Sequence, residues 1–145
     1  MREDIAQSGF SPEGTWYDLC GSGSSEVPLV MIHGVGLDHT MWEPQMPALE
    51  EAFCVLRYDM LGHGRSEARP VKDITTFVRQ LEDLLSYLDI TKMHLVGLSM
   101  GGVISQAFAG GAPSRLKTLV LMNTVYRRTE EELTGMRHRL QLTRE

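Results

Sequence analysis

Three shortages shape the chain. Between Ser99 and Glu130 there is no carboxylate, and after Ser99 the sequence offers only Glu130, Glu131, Glu132 and Glu145. Histidine is as scarce there: of five, four precede Ser99 and His138 alone follows it. Cysteine is limited to Cys20 and Cys54, each isolated in a strand-like apolar stretch. Such cysteines read as buried, reduced thiols. No metal-ligand set and no cofactor motif emerges. Basic residues are outnumbered, 14 against 19, for a net charge of −5, and no basic run is interleaved with aromatics. That balance argues against nucleic acid or an anionic membrane surface as the main partner. No apolar run approaches the length that spans a membrane. The start, Met1-Arg-Glu-Asp-Ile-Ala-Gln7, lacks the apolar core of a signal peptide. The expectation is a soluble, cytoplasmic protein.

What is present suits a globular chain. At 145 residues and 42% hydrophobic content, it is one domain or part of a larger one. Residues 1–13 carry weak patterning, read as one short edge strand. Gly14–Cys20 is β-prone and leads into the flexible Gly21–Ser25. Val27–Ile32 is a short continuous apolar run, the mark of a strand buried on both faces. Leu37–Glu50, interrupted by Pro44 and Pro47, reads as a short helix or turn-rich segment. Phe53–Tyr58 is the next strand, followed by a glycine loop, Asp59–Ser66. Asp73 caps a helix whose Ile74, Phe77, Val78, Leu81, Leu84, Leu85 and Leu88 share one face. Lys92–Gly97 is a strand, and Leu116–Met122 is expected to be another buried one. Strands alternating with helices imply a mostly parallel sheet with helices on both faces. Thr129 and Glu132 form a capping box. The helix they open carries Leu133, Met136 and Leu140 on one stripe. A short helix of this kind needs something to pack against.

The central stretch is His94-Leu-Val-Gly97-Leu98-Ser99-Met100-Gly101-Gly102. A strand feeds a sharp turn, and a helix leaves it. The pattern G-x-S-x-G at such a junction is a nucleophile elbow. The turn lifts the serine oxygen clear of the sheet, and the glycines remove side chains that would collide there. The N–H of Met100, at the positive end of the following helix, faces the space beside that oxygen.

Two further motifs stand in register with the elbow. His33-Gly34-Val35-Gly36 follows one strand, and Asp59-Met-Leu-Gly62-His63-Gly64-Arg65-Ser66 follows the next. Together the three resemble the N-terminal, nucleophile-bearing half of the α/β-hydrolase superfamily. The stretch from Met31 to Trp42 is similar to the 3-oxoadipate enol-lactonase and small carboxylesterase group. The resemblance implies a partial α/β-hydrolase fold without its C-terminal strands. Residues 1–128 would be the core, and 129–145 the start of a cap or lid helix. It implies Ser99 as nucleophile, and the N–H groups of Val35 and Met100 as the oxyanion hole. His33 would orient its loop, Gly34, Gly36 and Trp42 would shape the loop or pocket, and Asp59, Gly62, Gly64 and Ser66 would form a structural turn. The substrate would be a small ester or lactone, with no cofactor.

The same resemblance exposes a gap. A serine needs an adjacent base, and the base an orienting acid. The superfamily order is Ser, then Asp or Glu, then His. Glu131 and His138 are seven residues apart, about 10.5 Å along a helix, far beyond the ~3 Å of a hydrogen bond. His138 sits between Arg137 and Arg139 and reads as a surface residue on a charged helix face. Asn123 holds a position where some family members carry the acid. His39 and His63 lie in loops before the nucleophile, and His94 begins the nucleophile strand at the far end from Ser99. The chain is therefore expected to hold nucleophile and oxyanion hole without acid or base, as a partial form of a longer hydrolase. Two alternatives stay open. One is a non-catalytic module that associates through an unfinished sheet edge and the C-terminal helix, with itself or another chain. The other is a different chemistry on the same fold: acyl transfer, C–C hydrolysis or haloperoxidation.

Overall fold

A computed structural model describes residues 5–23 and 25–142. Six strands form one sheet in the order β1-β2-β4-β3-β5-β6. They are β1 (Ile5–Phe10), β2 (Trp16–Gly21), β3 (Leu29–Ile32), β4 (Val55–Tyr58), β5 (Met93–Leu98) and β6 (Leu116–Met122). The segment β4-β3-β5-β6 is parallel, and β1 and β2 add an antiparallel flap at one edge. The weakly patterned N-terminus is that edge strand. Among the described residues no helix is long and apolar enough to cross a membrane.

The continuous apolar runs are explained by two cores, one on each face. In β3, Val30 and Ile32 point to one side, with Leu56, Tyr58 and Leu95. Leu29 and Met31 point to the other, with Trp42, Met46, Val55 and Val96. Helices α2 (Ile74–Tyr87) and α3 (Met100–Gly111) cover the first face. A 3₁₀ turn (His39–Gln45) and α1 (Met46–Ala52) cover the second. The two prolines split Leu37–Glu50 in this way: Pro44 lies in the 3₁₀ turn, and Pro47 opens α1.

Helix α2 follows its pattern closely. The Asp73 side chain accepts from the Thr75 N–H at 2.9 Å. Phe77, Leu81, Leu84 and Leu85 are buried, each worth about 1.5–3 kcal/mol of apolar transfer. Gln80 is buried among them and works as a clamp. It accepts from the Leu61 N–H and donates to Thr15 Oγ1 and the Asp59 carbonyl.

Two expectations need correction. Strand β6 is not buried: Leu119, Val120, Leu121 and Met122 are 37–46% exposed. It pairs with β5 along one edge only, and helix α4 (Glu130–Leu142) buries no residue against it. The cysteines are free but only half-buried. Burial, then Asp18 and Glu50 nearby, push the Cys20 thiol up to about 12.

Candidate active site

The parallel strands β3 and β5 are neighbours, so the loops at their carboxyl ends meet. That end of an open α/β sheet is where ligands bind. Gly34 lies against Ser99: a Cβ on Gly34 would stand 3.5 Å from the Ser99 Cβ. A Cβ on Gly101 would strike the carbonyl oxygens of Ile32 and His33, and one on Gly97 would strike the Gly101 carbonyl. Gly97 and Gly101 are demanded by close approach of two backbones, not by left-handed torsion angles, whereas Gly34 sits at ordinary contact distance.

Ser99 itself carries the unusual backbone. Its φ of 52° and ψ of −112° are a conformation that side chains disfavour. Hydrogen bonds hold it there. Its N–H donates to the Met122 carbonyl at 2.9 Å, and its carbonyl accepts from Gly102 N, Val103 N and Thr124 Oγ1. Serine is a favoured helix cap, and Ser99 stands at the cap position of α3. Its side chain nevertheless makes no capping bond. The helix cap leaves the hydroxyl unused.

A cavity of about 180 Å³ opens at this point. Ser99, Val35 and Met100 line it together. Met100 opens α3, where backbone N–H groups have no partner within the helix and the dipole favours negative charge. The rest of the wall is Val103, Asn123, Thr124, Val125 and Arg128. No motif in the sequence points to Arg128 or Thr124. The signal that reaches them is topological: β6 neighbours the serine strand, so the residues after Met122 emerge beside Ser99. A larger cavity, about 370 Å³, lies over the start of α2, where Arg69, Lys72 and Arg79 mix with Glu13, Asp73 and Asp83. It contains no serine, cysteine or histidine.

His33 is fully buried and both ring nitrogens are engaged. The Met60 N–H donates to Nε2 at 2.9 Å, so Nδ1 carries the proton and donates to the Gly34 carbonyl at 2.7 Å. Burial holds its pKa below the ordinary histidine range, partly opposed by that Gly34 bond. The ring thus braces the loop that carries Val35 and has no free nitrogen to accept a proton. Gly36 sits at φ 76° in the same loop, outside the cavity wall. Trp42 does not face the cavity. It is 3% exposed in the core on the opposite face from α3, and its pocket assignment is corrected to a packing one.

The Asp59 turn is a closed network. Asp59 is fully buried and accepts from His39 N, His39 Nδ1 and Arg65 N. A Cβ on Gly64 would run into its carboxylate. Ser66 donates to the Asp59 carbonyl and accepts from Trp16 N. Asp38, His39 and Asp59 bring potential ligand atoms within 4.8 Å of one another. Those atoms are already committed: Asp38 Oδ1 to Thr40, and His39 Nδ1 to Asp59 Oδ1 at 2.7 Å. The His39–Asp59 pair has the form of a base with its orienting acid. It belongs to the end of β4, two strands from β5, or about 9.6 Å at sheet spacing. It lines no part of the serine cavity. Among the described residues Ser99 Oγ has no histidine partner.

Residues 27–141 match the family model for the alpha/beta hydrolase fold. The chain is 41% identical over 108 residues to a dihydrolipoyllysine-residue acetyltransferase component of the acetoin cleaving system of Pseudomonas putida, covering 74% of this chain and 29% of that protein. It is 34% identical over 103 residues to the (E)-2-((N-methylformamido)methylene)succinate hydrolase of Acinetobacter baylyi, covering 70% of this chain and 39% of that one. The crystal structure of the enol-lactonase from Burkholderia xenovorans superposes with a TM-score of 0.72 at 34% identity, over 81% of this chain and 46% of that one. The chain thus spans less than half the length of these relatives. With the strand–turn–helix junction at Ser99, the parallel sheet order and the family match in agreement, the chain belongs to the α/β-hydrolase fold family.

Proposed function

We propose that Ser99 is the nucleophile of a hydrolase acting on a small carboxylic ester or lactone. One observation carries this reading. A single cavity holds Ser99, with its hydroxyl withheld from the helix cap, beside Val35 and Met100. Attack by Ser99 Oγ on the carbonyl carbon would drive the carbonyl electrons onto oxygen. The N–H groups of Val35 and Met100 are the donors for that oxyanion. Collapse expels the alkoxide and leaves an acyl ester on Ser99, which water then cleaves. The names of the Acinetobacter relative and the Burkholderia neighbour, a succinate-derivative hydrolase and an enol-lactonase, support a small substrate with an activated acyl carbon.

The proton leaving Oγ needs an acceptor. His33 is committed at both nitrogens, His39 is tied to Asp59, and His63 Nδ1 bonds the Leu61 carbonyl. His94 bonds Thr118, on β6. His138 lies on α4, which buries nothing. We assign the base and its orienting acid to residues outside these 145, and the α4 segment to the start of a lid. Without a base, the residual rate of such a site comes from the oxyanion donors and binding. The test is hydrolysis of a short-chain p-nitrophenyl ester with and without added imidazole as a substitute base. The expected result is a rate that imidazole raises in the wild type more than in Ser99→Ala. Equal rates for the two proteins under both conditions remove the nucleophile.

The exposure of β6 favours a second reading, a module that binds another chain through this edge without catalysis. It requires Ser99→Ala to leave every activity unchanged.

A further inference from the structure

The serine cavity ends on Arg128. The same arginine borders a second cavity of about 300 Å³, whose other walls are Met136, Arg139 and Leu140 of α4. Arg128 therefore borders both the space at the nucleophile and a space that Arg139 also lines. Among the described residues no Asp or Glu lines either cavity. Among the described residues the ion pairs are His39–Asp59, Arg57–Asp18 and Arg69–Glu67, so neither Arg128 nor Arg139 is neutralised by a carboxylate. Glu132 receives the Thr129 N–H at 2.8 Å to close the helix cap.

In a chain of net charge −5, two arginines with no carboxylate partner among the described residues border one path. The wall between them and Ser99 is apolar or neutral, with Val103, Val125 and Met136. A guanidinium presents a planar fork that matches a carboxylate in two parallel hydrogen bonds. We propose that Arg128, supported by Arg139, selects substrates that carry a carboxylate at the end remote from the reacting acyl carbon. This rests on the assignment of Ser99 as the nucleophile, since the remote end is defined by where the carbonyl sits. The substrate class becomes the half-ester or lactone of a dicarboxylic acid. Arg128 sets specificity and takes no part in the chemical step.

Binding separates this inference from the chemistry. Succinate and its neutral isostere succinamide are titrated into the 145-residue protein, followed by amide chemical shifts. Succinate is expected to bind about ten-fold more tightly and to shift residues around Arg128 and Ser99. Arg128→Gln should abolish most of that preference, and Arg128→Lys should keep part of it, since the charge remains and the fork does not. Raising the salt to about 0.5 M should shrink the preference, because exposed charges are screened. Equal binding of the two ligands, no detectable succinate binding, or a preference indifferent to Arg128→Gln overturns the proposal. The imidazole-dependent ester assay decides the nucleophile independently. A protein that prefers succinate through Arg128 yet shows no Ser99-dependent hydrolysis keeps the anion site and loses the nucleophile. The opposite pair of results does the reverse.

Discussion

Ser99 holds a backbone conformation whose strain is on the order of 1–3 kcal/mol, and its surroundings keep it there. Three donors converge on its carbonyl, and His33 braces the facing loop through both ring nitrogens. That brace has a pH signature. His33 accepts the Met60 N–H at Nε2, so protonation would set two donors against each other. Burial lowers its pKa in the folded state, whereas the unfolded chain titrates near 6.5. The unfolded state therefore binds more protons just below 6.5. The stabilisation from neutral His33 is complete above that value and fades as the pH falls through the lower folded value. Denaturant melts at several pH values should show wild type losing stability on acidification more steeply than His33→Gln. Parallel slopes would show that His33 is not held neutral. His33, Ser99 and the glycines were legible because a motif fixes both residue type and place. Trp42 was not. Its spacing from His33 does not say which face of the sheet it covers, and Leu29 and Met31 open an apolar surface on the side away from α3. Arg128 was missed for the converse reason, since its role comes from strand order, which brings the end of β6 beside Ser99.

Helices α2 and α4 start with similar caps and differ in how their apolar faces pack. Asp73 and Thr129 each bond a backbone N–H of the first turn, and the capping box at Thr129 is closed by Glu132. Helix α2 then buries Phe77, Leu81, Leu84 and Leu85, while α4 buries nothing. A cap contributes to global stability only where its helix unfolds with the core. Asp73→Ala should therefore cost about 1 kcal/mol in denaturant melts. Thr129→Ala should leave the melt unchanged and lower only the helical signal and amide protection of residues 130–142. A Thr129→Ala loss equal to that of Asp73→Ala would show that α4 is docked after all. The periodic apolar face of α2 was enough to define both its existence and its buried side. In α4 the stripe of Leu133, Met136 and Leu140 was equally visible, yet Leu140 is 56% exposed. A stripe states what a helix could bury, and a neighbour decides whether it does.

At the scale of the whole molecule the sheet has two unlike edges. Strand β1 closes one side with an antiparallel hairpin. Strand β6 ends the other with an apolar run, Leu119–Met122, that stays 37–46% exposed. Its composition is that of a central strand, and this misled the burial expectation: an uninterrupted Leu-Val-Leu-Met reads as interior wherever it lies. An open row of backbone donors and acceptors flanked by leucine and valine is a template for pairing with another strand. The 145-residue chain is therefore expected to associate through β6, with an apparent mass in light scattering that rises with concentration. Leu119 and Leu121 are two apart and share one face of the strand. Replacing both by lysine puts like charges on that face and across any antiparallel copy of it. The Leu119→Lys/Leu121→Lys protein should stay monomeric across the same concentration range. Its melting midpoint should fall by less than two core Leu→Lys changes would cost, because both side chains are about 40% exposed. Association that persists unchanged in the lysine variant would move the contact away from β6, leaving the apolar stripe of α4 as the surface to substitute next.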